Sequence, residues 1–396
     1  MDRMYAVAPL ALIRIALLMV ATLFAGCVSV APPPGIGAAI AWQDLPGWSE
    51  ERHAEAWSAL ITNCQKLATR DARWRALCDD AALFPDPSDD LARAFFETRF
   101  RPHALFNGTG ARDGLITGYY EPLLNGSTTR STRFRYPLYG RPDDLVTIDL
   151  GELYPELRDK RVRGRLIGRR VVPYPSRADI ESRGLAKNAP VLAWVDDAVD
   201  LFFLQVQGSG RIRFTDGKIL RVGYADQNGH PYQSIGRTLI ARGALTVDEV
   251  NLYSIRDWLA ANPGEAEAVL NSNPSYVFFE LRAADAAGPL GTLGLPLSPE
   301  RSAAVDPTFV PLGSPIWLDT TLVAPAHPCG RDTPASCTSP EAAIPYRRLL
   351  VAQDTGGAIK GPVRADVFFG FGAEAERRAG HMKQTGQLYV LMPVAR

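Results

Sequence analysis

The chain has 396 residues, no formal net charge, and hydrophobic and charged fractions of 46% and 22%. That is enough apolar material for a sizeable core in about two domains. Lysine and arginine are scattered, which argues against nucleic acid as a partner. Five dispersed histidines and no His/Cys group at ligand spacing predict no metal and no other cofactor.

At the N-terminus, Arg3 and Arg14 precede the apolar run Ile15 to Ala25, then Gly26 and Cys27. This pattern predicts a secretory signal, residues 1–27, too short to span a bilayer stably. Leu23-Phe24-Ala25-Gly26-Cys27 resembles the lipobox of bacterial lipoproteins, with Phe24 as its departure. The resemblance implies a lipid anchor on Cys27, and Val28 after it implies the periplasmic face of the outer membrane. The other four cysteines form two close pairs, Cys64 with Cys78 and Cys329 with Cys337. Each pair is expected to form a disulfide worth about 2 to 3 kcal/mol.

Ala31 to Gly35 reads as an extended tether. Helical spacing follows over 48–67, with Trp57, Leu60, Ile61, Cys64 and Leu67 on one face, and over 71–82, with Trp74, Leu77 and Cys78. A third helix opens at Ser88, with Asp89 and Asp90 in its first turn. From about 115 the texture becomes short apolar runs broken by Gly, Pro and Asp. Strands are predicted at Ile116 to Tyr120, Val191 to Trp194, Leu201 to Gly210 with a hairpin turn, and Ile212 to Tyr224 broken at Asp216-Gly217. Helices are predicted near Pro231 and from Thr246, and strands again from Tyr276 to the C-terminus. The fold expected is mainly β with N-terminal helices, one β-unit being inserted into another.

Two aspartates flank a glycine-rich turn in RLLVAQDTGGAIKGPVRADVFFG, residues 348–370. Asp354 follows a strand-like run, and Asp366 precedes Val367, Phe368 and Phe369, so both carboxyls are expected to be partly desolvated. Desolvation raises a carboxyl pKa, as general-acid chemistry needs. Gln205 and Gln207 are expected on one strand face, pointing together beside Tyr119, Tyr120 and Tyr232. Amides and aromatic rings of that kind suit a sugar, the rings covering its apolar faces and the amides reading its hydroxyls.

GYYEP at 118–122, QVQGSGRI at 205–212, VGYADQNGHPYQSIG at 222–236, NPSYVFF at 273–279 and DTGGAIKG at 354–361 followed by Asp366 resemble the membrane-bound lytic murein transglycosylase A family. The likeness runs from about residue 90 onward. It implies a catalytic domain over 28–122 and 273–396 containing a double-psi β-barrel, a smaller β-domain inserted at 123–272, and a groove between them for peptidoglycan glycan strands. It implies Asp366 as the catalytic residue, Asp354 as the supporting acid, and substrate contacts among Tyr119, Tyr120, Glu121, Gln205, Gln207, Ser209, Asn228, Tyr232 and Lys360. The reaction implied is cleavage of the β-1,4 bond between N-acetylmuramic acid and N-acetylglucosamine, leaving a 1,6-anhydro end. Cell-wall synthesis or hydrolysis proteins are expected partners.

One carboxyl suffices for that chemistry because the sugar's own C6 hydroxyl attacks, where an ordinary glycosidase needs a second carboxylate for water or as nucleophile. Asp354-Thr355-Gly356 also matches the tripeptide of pepsin-like proteases. Those need two such elements to share a proton, and Asp319-Thr320-Thr321 lacks the glycine. The other alternative is a lipid-anchored module that binds peptidoglycan without cleaving it.

Overall fold

In a computed structural model, which describes residues 32–157, 162–185, 188–282, 288–325 and 340–394, the chain starts with strand β1 (Gly35–Ala39). Three helices follow, α1 (Trp57–Leu67), α2 (Ala72–Ala82) and α3 (Asp89–Arg99). The side chains of Asp71 and Ser88 cap α2 and α3 by accepting from Trp74 N and Leu91 N. Helix α1 begins later than the spacing predicts. Gly47 is left-handed at φ 70° and Glu51 is extended, so residues 48–50 and 53–56 form separate 3-10 turns. Cys64 and Cys78 are disulfide-bonded and join α1 to α2. Cys27 and the Cys329–Cys337 pair lie outside the described residues.

Strands β2 (Phe100–Phe106) and β3 (Asp113–Glu121) come next. The chain then departs through β4 (Leu123–Ser127), β5 (Tyr136–Tyr139), β6 (Val146–Thr147), β7 (Arg163–Ile167), β8 (Arg170–Val172), helix α4 (Arg177–Arg183) and β9 (Val191–Val195). It continues with α5 (Ala198–Gln207), β10 (Ser209–Phe214), β11 (Ile219–Gln227), α6 (Ile235–Ala241), α7 (Leu252–Ala261), α8 (Pro263–Asn271) and β12 (Val277–Arg282). It returns through β13 (Ser302–Val305), β14 (Pro315–Pro325), β15 (Pro340–Asp354), β16 (Arg364–Phe371), α9 (Ala373–His381) and β17 (Lys383–Pro393). The fold is mixed α+β and mostly sheet.

The largest sheet runs β1-β2-β17-β14-β15-β13-β16-β3, and β17 also pairs with β3. That last pairing closes β17, β14, β15, β13, β16 and β3 into a ring. Its interior is filled by Ile116, Tyr120, Val305, Leu350, Val367 and Phe369, all buried. Outside it, α1 to α3 pack on Trp317, whose indole lies 5.2 Å from Trp48 and donates to Pro46 O at 3.2 Å. A second sheet, β12-β11-β10-β4-β9-β5, is built wholly from the intervening segment, with its own core around Leu138, Val195, Leu204 and Ile212.

Three further expectations fail. The strands predicted from Tyr276 to the C-terminus are interrupted by α9 (Ala373–His381), which buries Ala375 and Ala379 one helical turn apart. Residues 201–210 are not a strand with a hairpin turn: 198–207 form α5, capped by Asp197, and Gly208 at φ 80° ends it before β10. Leu201 to Leu204 are all buried, and a helix enclosed on every side carries the same unbroken apolar run as a buried strand. Thr246 does pair with Glu249 in a capping arrangement, but it closes only a turn. Helix α7 starts at Leu252, where Asn251 accepts from Tyr253 N and Ser254 N.

Candidate active site

Strand β13 lies between β15 and β16 and brings the two aspartates to one face. Ala304 pairs with Asp354 of β15 on one side and with Asp366 of β16 on the other. The β13–β15 register slips between Ala303, opposite Ala352, and Ala304, opposite Asp354. Without the slip, Asp354 would share the face of Ala352, which is in the ring's core. The irregularity turns it instead to the face of Ala304. The skipped residue, Gln353, is fully buried, bonded to Ser302 and donating to Asn63 Oδ1 at 2.7 Å.

Strand β3 completes the site from the far side of β16. Thr117 is the register partner of Asp366 and donates its hydroxyl to Asp366 Oδ1 at 2.5 Å. Tyr119, two residues on and therefore on the same face, donates its phenol to Asp354 Oδ2 at 3.0 Å. Its ring packs at 5.2 Å from Phe368. Residue 118 is glycine because a Cβ there would lie 2.6 Å from the Phe369 ring and 2.9 Å from Ala379 Cα.

The carboxyls differ in how they are satisfied. Asp354 Oδ1 accepts from Thr292 N at 2.8 Å, Thr292 Oγ1 at 2.9 Å and Thr355 N at 2.9 Å, in addition to the Tyr119 bond. Burial raises its pKa, and these bonds oppose the rise. Burial raises the Asp366 pKa as well. The Arg364 charge and the Thr117 bond pull it down, and the Asp354 charge pushes it up. Bonds from fixed donors favour the ionised form, so of the pair Asp366 is the group suited to hold a proton. Of the three apolar residues after Asp366, Phe368 alone shares the site face. Val367 and Phe369 point into the ring core.

The glycine-rich turn is tied down by Asp306, whose Oδ2 accepts from Gly361 N at 2.8 Å and whose Oδ1 accepts from Thr308 N at 3.1 Å. Burial raises the Asp306 pKa, but the bonds to Gly361 and Thr308 outweigh it and hold the carboxyl below its usual range. Lys360 is exposed on this turn. Tyr232 reaches the turn from the inserted segment, its Cβ standing 3.8 Å from where a Cβ on Gly357 would be. Burial raises its phenol pKa, and the Asp366 charge adds to that.

The remaining expected contacts are placed elsewhere. Tyr120 is in the ring core, 2% exposed. On a helix, Gln205 and Gln207 are about 200° apart, so they do not point together. Gln205 is buried and accepts from Arg177 Nη2. Gln207 accepts from Tyr120 N at 3.0 Å, on the side of β3. Asn228 is occupied by backbone: its Nδ2 donates to Pro175 O and Pro274 O, and its Oδ1 accepts from His230 N and Tyr276 N. That uses the hydrogen-bonding capacity of the amide. Glu121 is buried between Arg211, at 3.2 Å, and Arg221, at 3.1 Å, where strand β3 leaves the ring. Ser209 is buried at the start of β10.

Thr117, Thr292, Ala304, Asp306 and Arg364 were not foreseen. Thr117 could have been found from its spacing to Tyr119 on a predicted strand. The others depend on which strands neighbour one another. Among the described residues no group of three or more His, Cys, Asp or Glu side chains gathers as metal ligands.

The chain is similar to several known proteins. Residues 115–280 match the MltA specific insert domain and residues 301–392 match the 3D domain. A curated relative, membrane-bound lytic murein transglycosylase A of Escherichia coli strain K12, is 35% identical over 279 residues, 70% of this chain. The match spans 65% of that relative's length, just under two thirds. The crystal structure of MltA from Neisseria gonorrhoeae superposes with a TM-score of 0.71 at 34% identity, covering 93% of this chain and 97% of that one. E. coli MltA with bound chitohexaose superposes with a TM-score of 0.62 at 26% identity, covering 92% and 96%.

Proposed function

The chain belongs to the membrane-bound lytic murein transglycosylase A family, and from that premise we propose that it is a peptidoglycan-cleaving lytic transglycosylase. The bond cut is the β-1,4 link between N-acetylmuramic acid and N-acetylglucosamine, and the product is a 1,6-anhydro end. The observation that carries the reading is the unequal satisfaction of Asp354 and Asp366. One carboxyl accepts four hydrogen bonds, which favour its ionised form. The other accepts one and holds a proton to give.

Protonated Asp366 donates to the glycosidic oxygen as the bond to the anomeric carbon breaks. The resulting carboxylate then takes the proton of the C6 hydroxyl as that oxygen attacks the same carbon, so the residue ends as it began. Tyr119 holds Asp354 in place, and Thr117 fixes the orientation of the reacting carboxyl. Tyr232 forms the opposite wall from the inserted segment. Lys360, exposed on the turn, is available to the substrate.

Supporting a glycan groove between the ring and the inserted segment, the E. coli relative has been solved with chitohexaose bound. The same reading includes a double-psi ring built from the chain before β4 and after β12, with the segment between them as the inserted domain; the expected boundary at 272 gives way because β12 (Val277–Arg282) pairs with β11 in the second sheet. It also includes cleavage at Cys27, a lipid anchor on that cysteine, and residence on the periplasmic face of the outer membrane alongside other cell-wall enzymes.

The test is to incubate protein beginning at residue 28 with murein sacculi and to weigh the released fragments. Anhydro ends from wild type and none from Asp366→Asn support the mechanism. Reducing ends point to a hydrolase, and tight binding without release points to a binding module.

A further inference from the structure

We propose that the loop between β4 and β5 is a subsite for a carboxylate carried by the peptide stems of the glycan. This rests on the peptidoglycan reading and adds a second point of recognition to it. An open pocket of about 580 Å³ is lined there by Arg130, Ser131, Thr132 and Arg135.

Three arginines in the loop are used differently. Arg133 lies over Phe134 and pairs with Asp196 at 3.1 Å. Arg130 stands 5.4 Å over the ring of Trp194, and Arg135 stands 5.0 Å over Tyr136. Neither makes an ion pair among the described residues. A guanidinium lying over an aromatic ring is attracted to its π-face and keeps N–H donors for a planar anion. Among the described residues, Arg130 and Arg135 are thus positioned cations without a protein anion.

The loop between them is ordered by its own hydrogen bonds. Ser131 N donates to Phe134 O at 2.9 Å, and Phe134 N donates back to Ser131 Oγ at 3.0 Å. Because Ser131 Oγ is an acceptor in that pair, its O–H proton remains available to a ligand. Thr132, exposed beside it, adds a second hydroxyl. Two guanidinium edges and two hydroxyls around one opening match a carboxylate.

Position and surroundings select the occupant. Strand β4 leaves β3 one residue beyond Glu121, and its five residues carry the loop about 17 Å from that junction. Asp366 lies on the other side of that junction, beside Thr117 four residues before Glu121, so a ligand in the loop belongs to another part of an extended polymer than the sugar reacting there. A glycan whose repeats bear acidic peptides presents carboxylates at such intervals. A membrane surface would call for apolar side chains beside the cations. No large apolar residue between 128 and 136 is exposed, and Phe134 is only 9% accessible.

The test compares soluble glycan strands that keep their peptide stems with the same strands stripped of stems by an amidase. Full-length protein carrying Asp366→Asn binds both without cutting them. Adding Arg130→Ala and Arg135→Ala is expected to weaken binding of stem-bearing strands about tenfold, from the loss of two charge-assisted contacts, and to leave stripped strands unchanged. An equal loss on both strands, or no loss on either, overturns the subsite. So does arginine-dependent binding to phosphatidylglycerol vesicles with no dependence on stems. Arg135→Glu alone, which leaves the stacked Arg130 in place, must show the same selectivity should the double variant melt early. If the parent protein binds neither strand, the peptidoglycan reading itself fails.

Discussion

Asp354 and Asp366, twelve residues apart in the chain, are the two lateral partners of Ala304, one across a parallel strand pair and the other across an antiparallel one. They sit two strand spacings apart, about 10 Å between backbones, close enough for each charge to act on the other carboxyl. The slip in register beside Ala304 puts both on the side of the sheet that faces Tyr119.

Asp366→Asn is expected to lower the rate of anhydro-end release by about 10² to 10⁴-fold while raising stability. Burial lifts the Asp366 pKa above its ordinary value, so the folded state keeps a proton that the unfolded chain releases. Over that interval stability falls as pH rises. The variant, which has no such group, should melt higher than wild type at neutral pH, and the difference should vanish in acid below the ordinary carboxyl pKa. Paired thermal melts across pH check it. A variant that melts lower throughout would mean that the carboxylate is structural.

Thr117→Val and Asp354→Asn should move the pH profile in opposite directions. A general acid must be protonated, so kcat/KM falls as pH rises through the Asp366 pKa. The Thr117 bond favours the carboxylate and the Asp354 charge opposes it. Removing the hydroxyl therefore shifts the falling limb to higher pH, and neutralising Asp354 shifts it to lower pH. The profile is measured on soluble glycan strands, and two shifts of the same sign would reject the assignment.

Replacing Cys64 and Cys78 together by serine should destabilise the protein by about 3 kcal/mol, from the loop of 14 residues that the disulfide closes. Denaturant unfolding with and without reductant measures it. The specific activity of the folded variant should be retained, because the staple holds α1 to α2 on the outside of the ring.

Glu121→Ala should cost about 3 to 5 kcal/mol. It removes the buried carboxylate between Arg211 and Arg221, where β3 passes out of the ring into β4. Glu121→Gln should lose less, because the amide oxygen still accepts from the guanidinium groups. Urea unfolding of the two variants separates the charge from the hydrogen bonds.

Much of this was legible along the chain. The N-cap side chains of Asp71 and Ser88 and the apolar spacing of Trp74 and Leu77 are local signals, and α2 and α3 begin where they indicate. The turn at Asp216-Gly217 separates β10 from β11 for the same reason. The five motifs carried the family. The unbroken apolar stretch Leu201 to Leu204 was misleading, because burial on all sides erases the periodicity that tells a helix from a strand, and the glutamines after it went astray with it. Only the tertiary structure decided which chemistry-bearing residues meet. Strand order placed Ala304 between two aspartates, parallel pairing set Thr117 against Asp366, and one slipped residue turned Asp354 out of the core. Each of these is a non-local pairing, and nothing in a short window of sequence records which strand will lie beside it.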